Sequence, residues 1–129
     1  MVSLLQVDDI GKNFGGLQAL SEVSFRIERS ETVGLIGPNG SGKSTLFNVI
    51  TGRFPPTHGR VQFNGETITG LAAHEIAKRG IARTFQTVRP FMHLTVLENV
   101  KVASMYGSQV AHKQSDVVDR AYTALERVN

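Results

Sequence analysis

An α/β fold built around a phosphate-binding loop is predicted by three features of this 129-residue chain. The segment Gly37-Pro38-Asn39-Gly40-Ser41-Gly42-Lys43-Ser44-Thr45 satisfies G-x-x-x-x-G-K-[ST] at every defined position. The apolar run Thr32–Ile36 leads into it and reads as a buried strand, and Lys43–Thr51 follows as a helix. A lead of β-like sequence occupies the chain ahead of Gly37.

The elements follow in order. Leu4–Val7 is an expected first strand, and Asp8-Asp9 reads as a turn. Val23, Phe25 and Ile27 alternate with Ser24, Arg26 and Glu28, the period of a half-buried strand. The helix after the loop is expected to end at Gly52, with Pro55-Pro56 forbidding continuation. Val61-Gln62-Phe63 runs into Asn64-Gly65, a hairpin signal. Ala72–Arg79 is an expected short helix stopped by Gly80, and Ile81–Phe85 an expected strand. Thr95–Met105 reads as helix, with Glu98 in its early turns. Ser115 is a suitable N-cap for a last helix in which Val117, Val118, Ala121, Leu125 and Val128 recur at helical spacing.

The loop residues suit one task. A triphosphate presents closely spaced anionic oxygens, and only many inward-pointing N–H groups hold them together. Gly37, Gly40 and Gly42 let the chain curl into such a nest. The helix start adds unpaired N–H groups and the positive end of its dipole. Lys43 is placed to reach the β- and γ-phosphates, Ser44 to put a hydroxyl on Mg²⁺, and Thr45 to reach the α-phosphate. The motif implies a nucleotide and Mg²⁺ without choosing among kinase, GTPase and transport ATPase. No Asn-Lys-x-Asp guanine motif occurs. The long β-rich lead disfavours a small-molecule kinase, whose loop follows the first strand.

Composition narrows the field further. The chain is 40% hydrophobic, enough for one small domain with a core, and has no Cys, which excludes a disulfide framework. No run approaches the ~18 apolar residues of a membrane span, and Met1–Ile10 does not read as a signal peptide. Net charge is +3 and pI about 9.6. The basic residues are dispersed, with a loose group at Lys78, Arg79, Arg83 and Arg89, and nucleic acid is not an expected partner. His58, His74, His93 and His112 lack metal-ligand spacing, and Asp8-Asp9 and Asp116/Asp119 do not read as catalytic pairs.

Taken together, Phe14-Gly15-Gly16-Leu17-Gln18-Ala19-Leu20, Val23-Ser24-Phe25, Gly34 to Thr45, Gly59-Arg60-Val61, Asn64-Gly65, Gly80 to Gln86 and Leu94 to Val100 resemble the ATP-binding subunit of an ABC transporter, in order and spacing. Arg83-Thr84-Phe85-Gln86 with Arg89, Phe91 and Thr95 to Asn99 is similar to the branched-chain amino acid importer subgroup.

The resemblance implies the N-terminal part of a P-loop nucleotide-binding core over 1–88, with an antiparallel β-layer, and the start of a helical subdomain over 89–129. It implies that Phe14 stacks on adenine and that Gln86 contacts Mg²⁺ and the attacking water, so Lys43 and Gln86 are the expected catalytic residues and Ser44 and Gln86 the metal contacts. Arg89, Phe91 and Met92 fall where a membrane permease subunit docks. A second ATP-binding subunit, head to tail, and indirectly an external or periplasmic substrate-binding protein are the other implied partners, at the cytoplasmic face of the plasma membrane.

The pattern also implies motifs that do not occur in this chain: the LSGGQ-type signature, the second strand with its Asp and Glu, and the switch histidine. The expectation is therefore a fragment of a longer gene product that contacts ATP, hydrolyses it very slowly or not at all, and is marginally stable. A nucleotide-binding half-domain without turnover is the alternative.

Overall fold

The computed structural model describes residues 3–87, 89–106 and 114–128. The chain divides into two compact units, Met1–Ala73 and His74–Asn129.

The first unit is organised by an antiparallel sheet. Strands β1 (Leu5–Phe14) and β2 (Leu17–Ile27) form a long hairpin about Gly15-Gly16. Strand β3 (His58–Phe63) pairs with the other edge of β1, and β4 (Glu66–Thr67) with β3, giving the order β2-β1-β3-β4. The β3–β4 turn carries Asn64 at φ 50 and Gly65 at φ 81. Two successive positive φ values are what a tight right-twisting hairpin turn demands, and Asn-Gly supplies them at low cost.

Strand β1 is longer than expected, because Asp8-Asp9 is a bulge and not a turn. Asp9 stands at φ 51, and its N–H donates to the Ser24 hydroxyl at 2.8 Å. The register slips between Val7 and Ile10 against β2, and between Asp8 and Gly11 against β3. Asp tolerates the left-handed region better than most residues, so one extra residue is absorbed and the ladder resumes. Gly59, at φ 89, lies against this bulge, and a Cβ there would fall 2.2 Å from the Asp9 carbonyl oxygen.

Val7, Ile10, Val61 and Ile68 are almost fully buried in this unit. Helix α1 (Lys43–Ile50) buries Leu46, Val49 and Ile50, a stripe at i, i+3 and i+4, and touches β2. It ends as the sequence indicates. Gly52, at φ 72, donates its N–H to the Val49 carbonyl at 3.1 Å, and Arg53 donates to Asn48 at 2.8 Å, the paired bonds of a Schellman motif.

Two expected strands are absent. Thr32–Ile36 and Ile81–Phe85 have no strand structure. A run apolar on both faces belongs in a sheet covered on both sides, usually a parallel one. Among the described residues the sheet is antiparallel and pairs with neither run. Val33, Leu35 and Ile36 are 48%, 45% and 95% exposed.

The second unit is helical. Helix α2 (Ala73–Lys78) stops before Gly80, at φ 107. Helices α3 (Val96–Tyr106) and α4 (Gln114–Glu126) pack together, with Val117 and Ala121 of α4 buried one turn apart and Val118 and Leu125 half-buried. Val128 lies past the end of α4 and is 83% exposed, so it is not part of the helical stripe. His112, read as no ligand, lies outside the described residues.

A reciprocal cap starts α3. The Glu98 N–H donates to the Thr95 hydroxyl oxygen at 3.2 Å, and the Glu98 carboxylate accepts from the Thr95 N–H at 2.7 Å and its hydroxyl at 2.9 Å. The backbone bond first, then the hydroxyl bond, holds the Glu98 carboxyl below its ordinary value of 4.5. A group depressed in the folded state stabilises it fully above the unfolded value and loses that contribution as pH falls through the folded one. Amide exchange at Thr95 and Glu98 is therefore expected to accelerate as pH falls below about 4.5. In Glu98→Ala the Thr95 amide, whose acceptor is removed, is expected to exchange fast at every pH, beyond the intrinsic pH dependence of the chemistry.

Candidate phosphate-binding site

Helix α1 begins without help from any side chain. Its N-cap is Gly42, at φ 91, with no side-chain cap bond and no acidic residue in the first turn. The first intrahelical bond runs from the Leu46 N–H to the Gly42 carbonyl at 2.8 Å. The N–H groups of Gly42, Lys43, Ser44 and Thr45 thus precede the helical ladder, and the positive end of the dipole meets no carboxylate there.

The loop before it is curled by glycine. Gly40 stands at φ 84 and Gly42 at φ 91, on either side of Ser41. The Ser41 N–H donates to the Pro38 carbonyl at 3.3 Å. Gly37 is so close to Ser41 that a Cβ on it would lie 2.6 Å from the hydroxyl oxygen. Alternation of left-handed and right-handed residues turns consecutive N–H groups to one side, which is the geometry of an anion nest.

Lys43 closes the ring. Its ammonium donates to the carbonyl oxygens of Gly37 and Pro38, both at 2.6 Å, and approaches the Ser41 hydroxyl at 3.3 Å. The cation therefore lies at the mouth of the loop, held by neutral acceptors. Phosphate oxygens are stronger acceptors for an ammonium than carbonyls, so the exchange favours the anion. Ser44 follows on the exposed side of the first turn, and a hydroxyl oxygen is a donor type that suits a hard cation such as Mg²⁺. Asn39 is exposed and Thr45 half-buried.

Phe14, at the tip of β1, is 42% exposed and meets the Phe54 ring at 5.5 Å and 85°. It is not an ordinary core residue. The remaining expected residues lie in the second unit. Gln86 is exposed, at a bend in an irregular segment, and Arg89 is exposed. Phe91 and Met92, 59% and 82% exposed, do not form core either.

Asn99, which the sequence did not single out, fixes the backbone beneath them. Its Oδ1 accepts the Phe91 N–H at 2.8 Å, and its Nδ2 donates to the carbonyls of Phe91, Leu94 and Thr95 at 3.2, 3.2 and 3.0 Å. The Asn side chain carries both an acceptor and donors, yet its partners become visible only when the chain has turned.

The closeness of the loop to β2 makes Gly42 sensitive. A Cβ there would stand 2.6 Å from the Ala19 carbonyl oxygen and 2.9 Å from Leu20 Cδ2. Gly42→Ala is expected to lower stability by about 1–3 kcal/mol, from backbone strain alone, as measured by urea denaturation.

Residues 20–129 match the pattern of the ABC transporter family. The high-affinity branched-chain amino acid transport ATP-binding protein BraF of Pseudomonas aeruginosa is 46% identical over 100 residues, covering 78% of this chain and 39% of the relative. The corresponding protein LivG of Escherichia coli is 39% identical over 137 aligned positions, covering 97% of this chain and 54% of the relative. The chain thus spans about half the length of the curated relatives it matches. Among solved structures, MJ1267, an ATP-binding cassette of an ABC transporter, superposes with a TM-score of 0.82 at 37% identity, over 98% of this chain and 54% of that one. The dimeric bacterial cassette MJ0796 gives 0.80 at 29% identity, over 95% and 56%. Because the matched stretch takes in the curled loop, the uncapped helix behind it and the helices of the second unit, this chain belongs to the ABC transporter family.

Proposed function

We propose that this chain binds Mg-ATP through Gly37–Thr45, and that the longer protein to which its relatives correspond hydrolyses ATP to power import of branched-chain or related amino acids. The observation that carries the proposal is the uncapped start of α1 behind a glycine-curled loop, with the Lys43 ammonium at its mouth. The names of the relatives, branched-chain amino acid transport ATP-binding proteins, support the transport reading.

In this reading the N–H groups of the nest and of Gly42 to Thr45 hold the phosphates. Lys43 leaves the Gly37 and Pro38 carbonyls for the β- and γ-oxygens, where negative charge accumulates as the γ-phosphoryl departs. Mg²⁺, when bound, would be held by the Ser44 hydroxyl, with Gln86 as the second contact that the family resemblance implies, and would supply charge neutralisation. Phe14 takes the adenine on its ring face, since every nucleobase offers a π surface. Gln86 orients the attacking water. The division into a nucleotide core over 1–88 and a helical subdomain from 89 belongs to the same reading.

Arg89, Phe91 and Met92 meet a permease subunit at the cytoplasmic face of the membrane, and their exposure supports this. Among the described residues no helix is long and apolar enough to cross a membrane. A second ATP-binding subunit pairs head to tail, and an external substrate-binding protein delivers the cargo. The 129-residue chain alone turns over ATP very slowly or not at all.

Calorimetric titration of Mg-ATP into this chain tests the phosphate site. Lys43→Ala is expected to weaken binding by about 10- to 100-fold, the worth of a charged hydrogen-bonding group. Binding that is unchanged in the variant would refute the assignment. In the longer protein, Phe91→Ala with Met92→Ala is expected to cut amino acid uptake by cells while leaving ATP affinity unchanged.

A further inference from the structure

The structure shows what holds the Phe14 ring. The Lys12 ammonium lies over it, 5.0 Å from the centroid. Lys12 is itself fixed, because its Nζ donates to the Pro55 carbonyl at 2.8 Å. Pro55 belongs to the segment that leaves α1, and two bonds tie that segment to β1: Thr57 N–H to the Gly11 carbonyl at 2.8 Å, and Asn13 N–H to the Thr57 hydroxyl at 2.9 Å. Phe54, in the same segment, makes the perpendicular ring contact. One face of Phe14 is thus occupied by a cation, while the residue as a whole stays 42% exposed.

The place in the fold matters. Lys12 pairs with Leu20 across the β1–β2 ladder. Leu20 is also the residue whose Cδ2 would lie 2.9 Å from a Cβ on Gly42. The Lys12 backbone and the glycine-curled loop therefore both adjoin Leu20.

Resting on the nucleotide-binding reading above, we propose that Lys12 is the positioning residue for the nucleobase. It holds the Phe14 ring from one face and leaves the other for the base. A cation over an aromatic face draws on the negative charge of the π system. The opposite face is then less negative, and stacks better with an electron-rich purine. Lys12 touches neither base nor phosphate in this role; it acts through Phe14.

The test separates the base from the phosphates. Dissociation constants for Mg-ATP and for Mg-tripolyphosphate are measured by calorimetry on this chain and on Lys12→Met, Lys12→Arg and Phe14→Ala. Lys12→Met is expected to weaken ATP by about two- to fivefold, the worth of an exposed cation–π contact, and to leave tripolyphosphate unchanged. Lys12→Arg restores ATP affinity, and Phe14→Ala weakens ATP alone by a larger factor. Unchanged tripolyphosphate binding shows at the same time that each variant is folded. Equal weakening of both ligands in Lys12→Met, or no change in either, overturns the proposal. A wild-type chain that holds tripolyphosphate as tightly as ATP also overturns it while leaving the phosphate site standing; a chain that holds neither removes both.

Discussion

The approach of a helix start to a sheet without an intervening side chain governs this molecule. At Gly42 the backbone comes so near the Ala19 carbonyl and Leu20 that no Cβ fits. That contact sets α1 on β2, and the buried faces of Leu46, Val49 and Ile50 then keep it there. With the helix in place, the preceding loop has nowhere to go but back over the helix end. Its curl at Gly40 and Gly42 and the closing bonds of Lys43 follow from this. The sheet contributes its rigidity. The bulge at Asp9, filled by Gly59, lets β1 continue to Phe14, so that a single strand runs from the core to the aromatic tip.

Features encoded in adjacent residues were legible in the chain. Asn64-Gly65 marked its turn because two left-handed residues in a row leave few alternatives, and Gly52 marked the end of α1 because a single left-handed residue after a helix favours glycine. The curl of the loop ahead of α1 was legible because its glycines stand at fixed spacing. Features that depend on a partner distant in sequence were not. The apolar runs at 32–36 and 81–85 carry the composition of strands, but a strand exists only where a neighbour completes its hydrogen bonds, and none among the described residues does. Asp8-Asp9 has turn composition, and only Ser24 and Gly59 on the flanking strands make it a bulge. Lys12 was given no role, because a single polar residue has no local signature when its work is done on a distant backbone, and Asn99 was read only as part of its segment.

Charge is arranged by the same logic on a smaller scale. At α1 the helix dipole is left without an acid, and a lysine is placed beside it, so positive potential accumulates at one point. At α3 the opposite choice is made. Glu98 neutralises the dipole and takes up the Thr95 donors, which makes the second helix start a structural joint with no call on an outside anion.

Helix α1 has eight residues, and its two ends do different things. Its first turn faces the phosphate loop, and its last hands the chain through Gly52 to the segment 53–57, which grips Lys12 and Asn13. The helix is therefore a spacer of roughly 12 Å between the two attachments. One residue added or removed within it would shift the far attachment by about 1.5 Å and swing it by about 100°. The length of α1 thus fixes the separation of the glycine-curled loop from the segment that holds Lys12, and it is much less free to vary than the identity of the side chains along its exposed face.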